Sequence, residues 1–268
     1  MTPDQGRAAP RPPLPRLHLI VDPALCQEHA IAPADLAERA VAGGRAVAVH
    51  LRGPGMTAAA LWRLAIDLRA IIAPPALLIV NDRADVAVAA KADGVQLGDH
   101  GLPVAAARRV VGPRLLLGRS VHGVAEARAA EREGVDYALL GTIYPTASHP
   151  GVAGEGVALV RAVRAAVQLP LIAIGGIDQT TLDEVLDAGA AGVAIIRAVG
   201  AATDPSRAIA ALYALMQGDT GGNGALLLPH APDDSPDVGG RVSRSRRSRS
   251  RALRPVPHEG NVDGGDTA

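Results

Sequence analysis

From Arg16 onward, short apolar runs alternate with longer Ala-rich stretches whose apolar positions recur at helical spacing. A short apolar run bounded by polar residues reads as a strand buried on both faces, and the longer stretches read as helices that cover it. The runs predict strands over Leu17–Val21, Ala46–Leu51, Leu77–Val80, Gly94–Leu97, Leu115–Gly118, Asp136–Gly141, Leu171–Ile174 and Gly192–Ile195. Helices are predicted over Pro33–Ala42, Thr57–Ile72, Ala84–Ala90, Pro103–Val111, Val124–Glu133, Val157–Val167, Gln179–Ala188 and Pro205–Met216. Strands alternating with helices make a parallel sheet. Eight pairs with nothing left over argue for closure, and no Gly-x-Gly-x-x-Gly follows the first strand as an open dinucleotide-binding sheet would require. The expectation is an α/β protein: a single (β/α)8 TIM barrel with disordered terminal tails.

Composition changes that picture only at the ends. The leader, 1–15, has Pro and Arg without the apolar segment of a secretory signal. The barrel is expected over 16–218. Beyond it, 219–268 turns to Gly, Pro, Asp and Ser and then to an Arg/Ser run over 241–251, too polar to bury a core. That run could bind RNA or anionic lipid, or simply solubilise the chain. Lys plus Arg (27) balances Asp plus Glu (27), so no global field draws the molecule to nucleic acid or membrane. Cys26 is the single cysteine, which excludes an intrachain disulfide and a Cys-cluster metal site and fits a reducing cytoplasm. Phe is absent, and aromatic side chains are too few for stacking on bases.

Candidate chemistry collects at the predicted strand ends, where such barrels build their sites. Leu171-Ile-Ala-Ile-Gly-Gly-Ile177 and Ala191-Gly-Val-Ala-Ile-Ile-Arg197 close the last two strands. Backbone N–H groups of Gly175, Gly176, Ile196 and Arg197 are expected to cradle a phosphate there, although a glycine pair also serves simply to turn a strand into a helix. Strand two ends in His50-Leu51-Arg52, whose alternation puts His50 and Arg52 on one side, with the guanidinium suited to an anion. Asn81 and Asp82 follow strand three, Gln96 to His100 strand four, and Ser120 and His122 strand five. Strand six delivers Thr146, Ser148 and His149, ahead of a Gly-rich segment read as a mobile lid or an ordinary long loop. Each polar tip has a plainer use as a helix cap or loop hydrogen bond. Their concurrence at one predicted strand end after another, beside two glycine turns, is what points to a site.

The ordered series Asn81-Asp82-Arg83, Ala92-Asp-Gly-Val-Gln-Leu-Gly98, Gly118-Arg-Ser-Val-His122, Gly141-x-x-Tyr-Pro-Thr146, Ile174-Gly-Gly-Ile177 and Ala188-Gly-Ala-x-Gly-Val193 resembles the thiamine-phosphate synthase and TenI superfamily over roughly 17–216. The resemblance implies a barrel that binds a thiazole phosphate, and within it two activities. The synthase joins a pyrimidine diphosphate to the thiazole phosphate with magnesium, for which Asp82 matches the first acidic ligand. Three of the groups that pattern uses are replaced here: Gly101 stands for the second acid, Pro54 for a lysine after strand two, and His149 for a lysine after strand six. The tautomerase branch needs only proton transfer and no metal, and His122, with a reference pKa near 6.5, suits that task. On those departures the chain is expected to be a metal-independent thiazole tautomerase, an isomerase with His122 as the proton-transfer residue. His50, Arg52, Asn81, Ser120, Thr146, Ser148 and His149 would surround its substrate. The alternatives are the magnesium-dependent synthase and a thiazole-phosphate-binding regulator without turnover. The expected partner is a small molecule, with neither nucleic acid nor membrane, and self-association into a homo-oligomer stays open.

Overall fold

The computed structural model describes residues 11–147, 151, 153–218, 225–226 and 228; Ser148, His149 and the Arg/Ser run lie outside these. All of them belong to the compact unit Met1–Ala231. Eight parallel strands close into a barrel in sequence order: β2 (Leu17–Val21), β3 (Val47–Leu51), β4 (Leu77–Asn81), β5 (Gly94–Leu97), β6 (Leu116–Val121), β7 (Tyr137–Leu140), β8 (Leu171–Ile174) and β9 (Gly192–Ile195), with β9 pairing back onto β2. The principal outer helices are α2 (Pro33–Val41), α3 (Ala58–Ile71), α4 (Ala84–Ala89), α5 (Val104–Val111), α6 (Val124–Arg132), α7 (Gly156–Arg164), α8 (Leu182–Asp187) and α10 (Pro205–Gly218). Two short helices escape the sequence pattern, α1 (Pro23–Glu28) and α9 (Arg197–Gly200). Each is a turn or so, below the length at which helical periodicity can be read.

Alternation along each strand splits the core into two clusters. Residues such as Leu19, Val49, Leu78, Val95 and Ile195 face outward and pack beneath the helices. Ile20, Ala48, Ile79, Leu116, Tyr137, Leu139, Ile172 and Ala194 face inward and fill the barrel. Polar residues share that inner parity: His18 sits opposite Ala48 and His50 opposite Ile20, while Asn81 pairs Gln96 in register. The Tyr137 ring fits only because position 118 has no side chain. A methyl there would lie inside contact distance of Tyr137 Cζ and Gln96 Oε1.

Below the barrel, β1 (Leu14–Pro15) pairs antiparallel with β10 (Ala225–Leu226). Leu14 is fully buried in the inner cluster, and Leu226 and Leu228 pack against it. Asp136 gathers Arg11 and, at 2.9 Å, Arg108, and Arg16 donates to Met216 O and Ala191 O, each at 3.0 Å. The described residues 11–15 on one side and 225–226 and 228 on the other thus pack beside the barrel, outside the 16–218 expected from composition. A pair of two-residue strands is too short to announce itself in a hydrophobic pattern. Among the described residues no helix is long and apolar enough to cross a membrane.

Candidate active site

The carboxyl ends of the strands open into a pocket of about 1140 Å³. Its floor is the top of the inner cluster, with Ile20, Leu139, Ile174 and Ala194 reaching into it. Arg52, Asn81, Asp82, Ser120, His122, Thr146, Gly175, Gly176, Ile196 and Arg197 all line this one space, so the structure brings together most of the residues singled out in the sequence. His50 is the exception among the described ones. It is fully buried beneath the mouth, absent from the wall, with Nε2 2.8 Å from His18 Nδ1. Its parity is inward as expected, but it sits one layer too low to touch a ligand.

On one side lies the glycine cup. Gly175 and Gly176 hold φ of 109° and 62°, the left-handed region that glycine enters at little cost. A side chain at 176 would stand 2.7 Å from Pro145 O and from Tyr144 Cβ, so the loop after β7 closes down onto this turn. Beside it, at the end of the neighbouring strand β9, Arg197 opens α9 next to Ile196. Its guanidinium reaches Glu28 at 3.3 Å, and Arg52 reaches Asp22 Oδ2 at 2.7 Å. Asp22 and Glu28 were not among the residues picked from the sequence. Asp22 is the polar tip of β2, legible as the residue after an apolar run, whereas Glu28 stands at the end of the unforeseen α1 and left no signal.

On the other side are the acids. Asp82 adopts φ 60° and accepts from Gly98 N–H at 2.7 Å, which pins the loop after β5 to the end of β4. Position 101 is turned into this carboxylate: a Cβ there would be 2.7 Å from Asp82 Oδ1, so a side chain at that place would require the Asp82 carboxylate to shift. Asp99 also lines the pocket and stands 3.9 Å from His122 Nδ1, while Glu126 takes the same nitrogen at 3.1 Å and the His122 backbone N–H at 2.7 Å. Among the described residues no group of three or more His, Cys, Asp or Glu side chains could hold a metal by itself. Gln96 Nε2 donates to Ser120 Oγ at 3.2 Å, tying Ser120 to the inner layer.

Comparison with known proteins adds identity to this geometry. The family described as thiamine monophosphate synthase matches residues 17–199. A thiamine-phosphate synthase of Chlorobium luteolum is 42% identical over 206 residues, covering 75% of this chain and 97% of that protein. One of Gloeobacter violaceus is 44% identical over 177 residues, 66% of this chain, and one of Mycobacterium sp. (strain JLS) is 52% identical over 134 residues, 50% of this chain. The chain spans only 52% and 59% of the lengths of those two. Among solved structures, thiamine phosphate pyrophosphorylase from Pyrococcus furiosus superposes with a TM-score of 0.64 at 32% identity, covering 75% of this chain and 94% of that one. A 3-hexulose-6-phosphate synthase at 17% identity shares the fold alone (TM-score 0.55, 74% of this chain, 98% of that one). These findings overturn the expected isomerase. Relatives at 42–52% identity carry the name of a transferase, so the replacements at 54, 101 and 149 do not mark a tautomerase. Three replaced ionic groups therefore do not by themselves mark a replaced reaction, and Asp99 brings another carboxylate to the pocket.

Proposed function

Because the chain belongs to the thiamine monophosphate synthase family, we propose that it is a cytoplasmic thiamine-phosphate synthase, a transferase that joins a hydroxymethylpyrimidine diphosphate to a thiazole phosphate. The thiazole nitrogen bonds to the pyrimidine methylene carbon as the bond from that carbon to diphosphate breaks, and inorganic diphosphate leaves. The observation that supports this reading is one pocket with two unlike ends. A glycine cup beside Arg197 suits the phosphate monoester, and the Asp82–Asp99 side suits the diphosphate with a cation. Its volume of about 1140 Å³ lies at the upper end of the roughly 300–1,000 Å³ usual for small-ligand sites, in keeping with a site for two substrates.

Magnesium fits the acidic side, because this ion is commonly held by one or two carboxylates together with substrate phosphates. Asp82 and Asp99 are the residues that would hold it. Bound there, it would neutralise the charge that develops on the departing diphosphate. Arg52, at the same rim, is poised to move from Asp22 to an anionic ligand, and apolar Ile20, Leu139, Ile174 and Ala194 exclude water beneath the reacting carbon. The single Cys26, buried and unpaired, is in keeping with a reducing compartment.

Purified protein given both substrates and magnesium should release thiamine phosphate and inorganic diphosphate in equal amounts. Asp82→Asn keeps an acceptor for Gly98 N–H while removing the charge, so turnover should fall about 10²-fold, some 2.7 kcal/mol of barrel-mouth electrostatics, with thiazole phosphate affinity nearly unchanged. No product from the unaltered protein with magnesium present would overturn the assignment.

A further inference from the structure

Inside the barrel two histidines touch, and neither reaches the pocket. His18 and His50 are fully buried with ring centroids 5.0 Å apart. The direction of their hydrogen bonds follows from one end. His18 Nε2 lies 2.9 Å from Pro15 O, which can only accept. His18 therefore carries its proton on Nε2, and its Nδ1 is a bare acceptor. The 2.8 Å contact then obliges His50 to donate from Nε2, and in a neutral ring His50 Nδ1 is left as a bare acceptor too. Burial holds His18 neutral down to about pH 4 and lowers His50 as well, so this single arrangement persists at neutral pH.

His50 pairs with Ile79 across the β3–β4 ladder, so Asn81, two residues on with the same inward parity, is its neighbour on the way up to the mouth. With the Asn81 amide in one of its two orientations, His50 Nδ1 and Asn81 Oδ1 are both buried without a partner. Two bare acceptors side by side are unfavourable, and the oxygen and nitrogen of an amide are fixed by the surrounding bonds rather than by shape. Turning the Asn81 amide resolves both orphans: its NH₂ donates to His50 Nδ1, and its oxygen is the end left for the pocket.

We propose that His18 is a positioning residue which, through His50, sets the polarity of Asn81, so that the pocket wall offers a carbonyl oxygen to an N–H or amino group of the bound heterocycle. This rests on the pocket being the substrate site. The test therefore begins with a readout independent of turnover. In protein labelled with ¹⁵N in its imidazoles, long-range ¹H–¹⁵N spectra at pH 7 should show the His18 and His50 signals, identified by their loss in His18→Gln and His50→Gln, as neutral Nε2–H tautomers. An Nδ1–H tautomer or a protonated ring at either position would overturn the proposal, whatever the enzyme's activity. Steady-state kinetics supply the second arm. His18→Gln can still donate to Pro15 O and accept from His50, and should retain the wild-type constants. His18→Leu frees the His50 tautomer and should raise KM for the pyrimidine diphosphate about tenfold with kcat within about twofold. Equal behaviour of the Leu and Gln variants would refute the relay, while absence of turnover in every form would refute the synthase reading and leave the spectra to decide this one.

Discussion

Asp82 carries two tasks that pull in different directions. One oxygen of its carboxylate holds Gly98 N–H, and the residue itself takes a left-handed φ of 60° that few non-glycine side chains adopt. What is gained is a carboxylate aimed into the pocket and a loop folded so closely upon it that position 101 admits only glycine without a shift. Beneath it, the buried histidines set a pH limit on the whole barrel. Their folded-state pKa values lie below the unfolded value near 6.5, with His18 at about 4. Between those values the unfolded chain binds more protons, so stability is present above pH 6.5 and is lost as the pH falls through that window. Each ring contributes a slope of up to about 1.4 kcal/mol per pH unit there. The urea midpoint should therefore drop between pH 7 and pH 5, and drop less in a His18→Gln/His50→Gln double variant; parallel curves would mean that the pair titrates normally.

At the scale of elements, the segment from the end of β2 through α1 sends two acids onto the two pocket arginines, Asp22 onto Arg52 and Glu28 onto Arg197. The Glu28 contact is long and exposed, and such pairs are worth about 0–1 kcal/mol. Glu28→Gln should therefore tighten thiazole phosphate binding by no more than about fivefold, readable by calorimetry, as Arg197 is released toward the cup. Weaker binding would instead mean that Glu28 orients Arg197 for the ligand. This segment also marks how far sequence reading reaches. The eight barrel strands were legible because each is a doubly buried run between polar ends, and the pocket followed from knowing that polar tips at those ends converge. Short α1 and α9 carry no period to read, and Glu28 came with α1. Inward parity for His50 was legible from its alternation with Arg52, but not its depth, because the layer a residue occupies depends on the stagger between strands. The function went astray for a related reason: Gly101, Pro54 and His149 were read one position at a time, whereas charge in a barrel mouth is supplied by whichever of eight loops can reach it.

For the molecule as a whole, the candidate pocket opens at one end of the barrel, and the β1–β10 pair lies at the other. Pro15 lies opposite Ala225 and Leu14 opposite Leu226 across the β1–β10 pair, and Leu228 packs against the same inner cluster. The first and last described segments thus meet at a seam, and where such segments adjoin, the order of the units along the polypeptide is a matter of convention. A circular permutant that joins 228 to 11 through a short Gly/Ser linker and begins instead at Gly44, in the exposed turn between α2 and β3 where a side chain added at Gly43 or Gly44 would meet nothing within 4 Å, should fold with the far-ultraviolet spectrum and catalytic constants of the parent. Failure to fold would show that the β1–β10 seam must form from free ends; success would make this barrel a ring, with its active face indifferent to where translation starts.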